Sequence, residues 1–493
     1  MSIVLSATIA IAFAAFAIIY ATRWHLGRKN ARPLPPGPKG LPILGNVNDM
    51  PKSGMLECHH WLRHKDIYGP LSSVTVLGQT FIIINDPEIA FELLRDRSAI
   101  HSSRPSQTFS GDITNVSVSV FDKAQETEAA HFLLNLLESP DKLFDHIRKE
   151  AGSVILKITY GYTAVANGND PFVDMAAKTM EQFADATVPG KWSVDIFPFC
   201  TGFKDTARRM AAQLSQCTNQ PYEFVKKQMR EKRHSPSFLS QCIEGLGSDA
   251  EMEFVHKWTA LALYLGGADT TVSSIMTFFL AMTVFPEVQK KAQEELDRVI
   301  GGGRLPVSKD RESLPYIEAI MKETHRWHLV APMCLPHCST EEDTCRGYRI
   351  PKGSILLPNN WHFTHDPEVY PEPMVFRPER FLETPTHKSE PDPRNFIFGY
   401  GRRICPGRYV ADNALFITIA QTLAVFDITK SVDGDGRVVE PEVKFEPGAI
   451  SHPVPYRCSI KPRSEDHKRL IKASEQLFPW EESDAKELEN ISW

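Results

Sequence analysis

The stretch Phe398-Gly399-Tyr400-Gly401-Arg402-Arg403-Ile404-Cys405-Pro406-Gly407 stands directly before an apolar, helically spaced run from Tyr409 to Phe426. A cysteine so placed lies just before a helix amino end. Partial positive charge there favours the thiolate, the form that serves as both nucleophile and metal ligand. Gly401 and Gly407 let the backbone bend tightly and let a flat group approach without Cβ interference. Arg403, two residues before the sulfur, can reach an anionic group on such a cofactor. Three readings stand: a metal-ligating thiolate, a catalytic nucleophile, and a structural thiol in a turn. A nucleophile needs a base, and nothing adjacent in the sequence supplies one. Composition alone does not separate the other two.

Outward from this loop, the chain has 493 residues, 55 Lys+Arg against 61 Asp+Glu, 42% apolar and 24% charged residues. Such a balance excludes disorder, collagen and coiled coil, and without a whole-chain basic field nucleic acid is not an expected partner. The nine cysteines are an odd number without the density of a secreted disulfide scaffold, which points to a reducing compartment. Cys334, Cys338 and Cys345 cluster, yet they lack the paired C-x-x-C spacing of a zinc site.

At the amino end, Ile3 to Ala21 carries no charge. About 19 residues at roughly 1.5 Å rise nearly match a hydrocarbon core of about 30 Å, so residues 1–22 are read as a membrane anchor. Positive charge follows the run at Arg23, Arg28, Lys29 and Arg32 rather than preceding it. That order favours an anchor over a cleaved signal and puts the rest of the chain in the cytosol. Residues 23–40 form a basic and Pro-rich connector, stiffened by Leu34-Pro35-Pro36-Gly37-Pro38.

Residues 41–462 show no internal repeat and no long linker, so one large domain is expected. Leu71 to Asn85 reads as a hairpin, and Asp86-Pro87-Glu88 as the cap and first turn of a helix. From about Glu126 to Phe285 the pattern is mostly helical. From about Cys338 to Pro378 short strands alternate with Pro-rich turns. Trp258 to Val284 is apolar except for Asp269. An unpaired acid at mid-membrane is costly, so this run is read as a helix buried in a globular body, with the polar notch at Gly266-Gly267 and Asp269-Thr270-Thr271 facing a cavity. The charged residues 463–493 are expected to form a solvated, partly helical or disordered tail. The fold class is mainly α with small β-sheets (α+β).

The loop pattern F-x-x-G-x-R-x-C-x-G, carried by Phe398, Gly401, Arg403, Cys405 and Gly407, resembles the haem-binding loop of the cytochrome P450 family. Three further motifs of that family precede it in the family's order. They are Gly266 to Thr271, Glu323-Thr324-His325-Arg326 as E-x-x-R, and Phe376-Arg377-Pro378-Glu379-Arg380-Phe381. The texture is most similar to membrane-bound fungal members of secondary metabolism. The resemblance implies the cytochrome P450 fold after one transmembrane helix, with haem b (iron protoporphyrin IX) on Cys405 as axial ligand and the Gly407 and Arg408 amides donating to its sulfur. It further implies Arg403 and His337 at the haem propionates, and Asp269 and Thr270 as a distal proton relay beside a groove widened by Gly266-Gly267. Glu323, Arg326 and Arg380 become a structural network.

One family element is missing. No tryptophan occurs between Trp61 and Trp192, so the expected W-x-x-x-R helix after Ser102-Ser103-Arg104-Pro105 is absent and the segment is short by a few tens of residues. A smaller contraction follows Phe197-Pro198-Phe199. The expected activity is insertion of one oxygen atom of dioxygen into a lipophilic small molecule, with electrons from NADPH through NADPH-cytochrome P450 reductase at the endoplasmic reticulum membrane. Two alternatives remain at this stage: a non-catalytic, haem-poor relic, and a reductase-independent isomerase or dehydratase.

Overall fold

A computed structural model describes residues 32–52, 54–103, 121–187, 202–246 and 249–490. The expected anchor, Arg104-Pro105 and both Val188-Pro189-Gly190 and Phe197-Pro198-Phe199 lie outside the described residues. The longer helices and the strands run in the order α1 (Glu57–Tyr68), β1 (Leu71–Val76), β2 (Gln79–Ile84), α2 (Asp122–Glu138), α3 (Leu143–Tyr160), α4 (Pro171–Ala186), α5 (Lys204–Arg230), α6 (Phe238–Leu246), α7 (Ala250–Val284), α8 (Pro286–Val299) and α9 (Pro315–Trp327). They continue with β3 (His337–Cys338), β4 (Asp343–Cys345), β5 (Tyr348–Ile350), β6 (Ile355–Pro358), α10 (Asn360–His365), α11 (Arg408–Val425), β7 (Phe426–Lys430), β8 (Cys458–Pro462) and α12 (Glu465–Leu477). Helix predominates and the sheets are small, as the sequence pattern implies.

The centre is a set of four helices, α2, α3, α7 and α11. Phe132, Ile147, Phe278, Phe279, Met282, Phe416 and Leu423 belong to one buried cluster across them. Asp249 caps α7 by accepting from the amides of Glu251 and Met252, and the helix stops before Pro286. Every residue from Val272 to Thr283 is buried. That burial explains an apolar run of membrane-spanning length inside a globular body. Among the described residues no single helix is long and apolar enough to cross a membrane.

A four-stranded sheet in the order β1-β2-β6-β3 flanks the bundle. The hairpin β1/β2 runs in register from Leu71↔Ile84 to Val76↔Gln79 and turns at Leu77-Gly78, both left-handed. Such a turn matches the strands' own twist. Asp86 then accepts from the Ile89 amide, capping the short helix that follows. The Pro-rich connector lies along this sheet: Ser73 donates its amide to the Pro36 carbonyl (2.9 Å) and its hydroxyl to the Pro35 carbonyl (2.6 Å). A Cβ on Gly37 would fall 1.9 Å from the Ser73 carbonyl oxygen, so only glycine fits there.

The carboxyl-terminal residues differ from the expected solvated appendage. Ile471 and Ser474 of α12 are buried, with Ile471 in the central cluster. Beyond the helix, Trp480 stacks on His131 of α2 with ring centroids 3.7 Å apart, and Asp484 accepts from the Thr163 amide at 2.8 Å. A high density of charge concealed two inward-facing residues of α12 and one aromatic anchor.

Under the helix bundle, α9 carries a closed ionic network. Arg326 forks onto Glu323 at 2.7 and 2.8 Å, and Arg380 donates to the same carboxylate at 3.2 Å. All three residues are inaccessible to solvent. Six further guanidinium protons go to the carbonyls of Thr364, Pro373, Pro371, Glu372 and Val375 and to Glu390, while the Arg377 amide donates to Glu323. One carboxylate thus pins α9 to the whole 371–380 segment. The ring of His325, between Glu323 and Arg326, lies 5.8 Å from that of Phe398. Helix α9 therefore carries the network and, through His325, touches the cysteine loop.

Removing one partner of a fully buried pair leaves uncompensated charge and costs about 3–5 kcal/mol. Glu323→Gln is expected to destabilise the protein by that order in denaturant unfolding. A second prediction concerns Glu150, buried on α3 with one oxygen accepting from Thr418 of α11 and the other unpartnered. Burial pushes its carboxyl from 4.5 up to about 8. The folded chain therefore holds a proton that the unfolded chain has lost, so stability is full below about pH 4.5 and falls as pH rises through about 8. Glu150→Gln should flatten this decline, measured as unfolding midpoint against pH between 5 and about 9.

Candidate active site

The cysteine loop is held from several sides. Gly401 is left-handed (φ +53°), and a Cβ there would lie 2.5 Å from the Leu94 carbonyl oxygen and 2.7 Å from the Ser98 Cβ. No other residue fits without moving that backbone. Buried Tyr400 donates its hydroxyl to Asn360 (2.7 Å), and Asn360 returns to the Phe396 carbonyl (2.9 Å). The Cys405 amide donates to the Phe398 carbonyl at 2.6 Å, closing the loop, and α11 begins at Arg408. Cys405 lies three residues before that helix start, as its spacing requires.

Burial pushes the Cys405 thiol up; the Gly407 amide hydrogen bond to it and the nearby Arg408 charge act the other way. Among the described residues the groups that act on it are the Gly407 amide and Arg408, neither of them a base. The Arg408 amide turns to the Cys405 carbonyl at 3.4 Å rather than to the sulfur, so of the two expected donors Gly407 alone serves it. A half-buried sulfur with an amide donor and, among the described residues, no base acting on it suits a metal ligand better than a nucleophile, because a bound cation stabilises the thiolate that desolvation disfavours.

Arg403 and His337 meet on one segment. Arg403 Nε donates to the Ser102 carbonyl at 2.8 Å, and His337 Nδ1 donates to the His101 carbonyl at 2.7 Å. Ser103 bridges Cys338 of β3. The backbone 101–103 is thus threaded between β3 and the cysteine loop, joining two donors 66 positions apart in the chain. His101 itself contacts Asp343 (2.9 Å), which also holds Arg97 (2.8 Å), so the segment has its own ionic anchor.

On α7 the two glycines do different work. A Cβ on Gly266 would meet nothing within 4 Å, whereas one on Gly267 would strike Ile155 of α3 at 2.8 Å. Only Gly266 faces open space; Gly267 lets α3 and α7 approach, which corrects the expectation that both widen a groove. Thr270 donates its hydroxyl to the Gly266 carbonyl (2.6 Å), and the Asp269 carboxylate meets His452 Nε2 at 3.2 Å. Sequence reasoning missed His452, because no spacing rule links residues 183 apart. Glu323, Arg326 and Arg380 stand apart in the network under α9. Among the described residues no group of His, Cys, Asp or Glu converges as a multi-residue metal site, so Cys334, Cys338 and Cys345 form none.

The donor set fits haem: one half-buried sulfur, two cationic or donor side chains gathered on adjacent carbonyls, and an open position at Gly266. Comparison with known proteins agrees. The sequence profile of the family described as Cytochrome P450 matches residues 35–182 and 126–458. The cytochrome P450 monooxygenase claR of Ampulloclitocybe clavipes is 43% identical over 92% of this chain and 90% of its own. The cytochrome P450 monooxygenase ppsD of Aspergillus oryzae is 42% identical over 95% and 96%. The O-methylsterigmatocystin oxidoreductase of Aspergillus flavus is 38% identical over 94% of each. The match to ppsD runs over 513 positions, more than this chain's 493 residues, so that relative carries residues inside the matched span that this chain lacks. This agrees with the shortened segment inferred from the missing tryptophan. The family implies a haem cofactor and a small-molecule substrate, and the chain belongs to the cytochrome P450 family as an oxidoreductase of the monooxygenase type.

Proposed function

We propose that this chain is a haem-thiolate monooxygenase that inserts one oxygen atom of dioxygen into a lipophilic small molecule of fungal secondary metabolism. Electrons come from NADPH through NADPH-cytochrome P450 reductase. The observation that carries the reading is the half-buried Cys405 sulfur, held in a loop that Gly401 bends and faced by the Gly407 amide. Relatives named monooxygenases at about 40% identity over nearly the whole chain support it, and one of them is named for O-methylsterigmatocystin. Residues 3–21, apolar and followed by Arg23, Arg28 and Lys29, support a single-pass anchor in the endoplasmic reticulum membrane with the body in the cytosol.

Bound haem supplies the redox-active iron at which dioxygen is activated. In this reading Cys405 holds the iron as thiolate, and the Gly407 amide stabilises charge on the sulfur without competing for the metal. Gly401 and Phe398 fix the loop against its neighbours. Arg403 and His337 serve the propionates from the 101–103 segment. Thr270 uses its one hydroxyl proton on the Gly266 carbonyl, which orients its oxygen lone pairs as an acceptor. Asp269 beside it holds a proton or passes one on. Both relay residues are present, which favours oxygen insertion over a reductase-independent rearrangement. Identity spread along more than nine-tenths of the chain likewise disfavours a relic.

Reduced carbon-monoxide difference spectroscopy of the protein expressed with ample haem tests this directly. The wild type should show the shifted Soret band of thiolate-ligated haem, and Cys405→Ser should lose it completely. A colourless wild type overturns the proposal. Thr270→Ala should keep the band but lower product formed per NADPH several-fold; unchanged coupling removes Thr270 from the relay.

A further inference from the structure

The Asp269–His452 contact joins α7 to a loop near the carboxyl end of the domain, and the way the loop is built gives the contact direction. His452 Nε2 lies 3.2 Å from Asp269 Oδ2, with the two side chains 21% and 22% exposed. One turn further along the same face of α7, Ser273 donates its hydroxyl to the Ser451 carbonyl at 2.6 Å. Residues four apart on a helix stack on one face, so consecutive loop residues engage consecutive turns of α7 in register. Ser451 is wholly buried, whereas His452 and Asp269 stand at the edge of the helix's polar notch.

The loop reaches α7 already shaped. The Ser451 amide donates to the Val330 carbonyl (2.8 Å), its hydroxyl to the Glu446 carbonyl (2.7 Å), and the Glu446 amide to the His452 carbonyl (2.7 Å). His328, just past α9, donates to the Ser451 carbonyl at 3.2 Å while its ring lies flat on Phe445, 3.5 Å between centroids and 7° between planes. Burial pushes His328 down to about 3, so it stands as a neutral donor at this corner. Tyr456 adds a bond to the Met276 carbonyl at 2.6 Å. Every one of these contacts fixes backbone or ring position; the imidazole of His452 meets the carboxylate of Asp269.

We infer that His452 is a positioning residue of the distal site: its Nε2–H holds the Asp269 carboxylate in the orientation in which it serves Thr270. Unheld, a carboxylate on a helix edge samples several rotamers, most of them pointing into solvent. A hydrogen bond from a loop anchored at Ser273 selects one. The inference rests on the proposed monooxygenase reading and extends it to a residue outside all the motifs.

The test uses the full-length holoprotein. His452→Phe keeps an aromatic ring but removes the donor, and His452→Gln restores an N–H at similar reach. Expected are a several-fold fall in product per NADPH for His452→Phe with haem content and substrate KM unchanged, and recovery of most of it in His452→Gln. In an Asp269→Asn background, His452→Phe should cause no further fall. Independently of turnover, thermal unfolding of the two single variants and the double should be non-additive. If His452→Phe proves unstable, His452→Gln compared with His452→Ala reads the same contrast. Unchanged coupling, an effect confined to KM, or full additivity with Asp269→Asn overturns the positioning role alone. A wild type lacking the thiolate band overturns the function beneath it.

Discussion

A desolvated sulfur at the mouth of α11 is the constraint on which the rest of the structure depends. Burial disfavours the Cys405 thiolate, and the protein offsets that with one amide, from Gly407, and one nearby cation, Arg408. A bound metal ion stabilises such a thiolate far more strongly than either. The surroundings are arranged to keep this one sulfur still. Gly401 permits close approach to Leu94, Tyr400 is tied to Asn360, and Phe398 both accepts from Cys405 and faces the ring of His325. Below, Glu323 gathers Arg326, Arg380 and the Arg377 amide into a network closed to water. Such a network adds little net stability compared with apolar packing, but losing any one partner strands the others as buried charge.

The central helix α7 follows a different logic. The carboxyl half of α7 is rigid through burial, while its notch carries two polar groups that a helix interior does not favour. Thr270 is satisfied within the helix and Asp269 from outside it, by a loop that Ser273 and His328 hold in register. Gly267 lets α3 press against this helix just where Gly266 leaves room on another face. A single adjacent pair of glycines thus separates packing from access, because neighbouring residues point about 100° apart around a helix.

Much of the fold was legible because its signals are local. The Leu71–Ile84 hairpin, the Asp86 cap and the long central helix follow from alternation, capping chemistry and the cost of an acid in lipid. The charged tail misled because charge density dominates composition, whereas Ile471, Ser474 and Trp480 face inward and the tail's own carboxylates Glu481, Asp484 and Glu487 find partners on the body. Of the expected sulfur donors Gly407 faces Cys405, and Arg408 does not, since its amide already serves the first turn of α11.

Sequence by itself determined the cysteine loop, the E-x-x-R pairing and the helical character of the chain, because each rests on residues within a few positions, where backbone geometry converts spacing into direction. Tertiary structure alone decided that Arg403 and His337 share the carbonyls of residues 101 and 102 and that His452 reaches Asp269. Those partners lie tens to hundreds of positions apart. No periodicity survives across such distances, so only the packed chain brings them within a hydrogen bond.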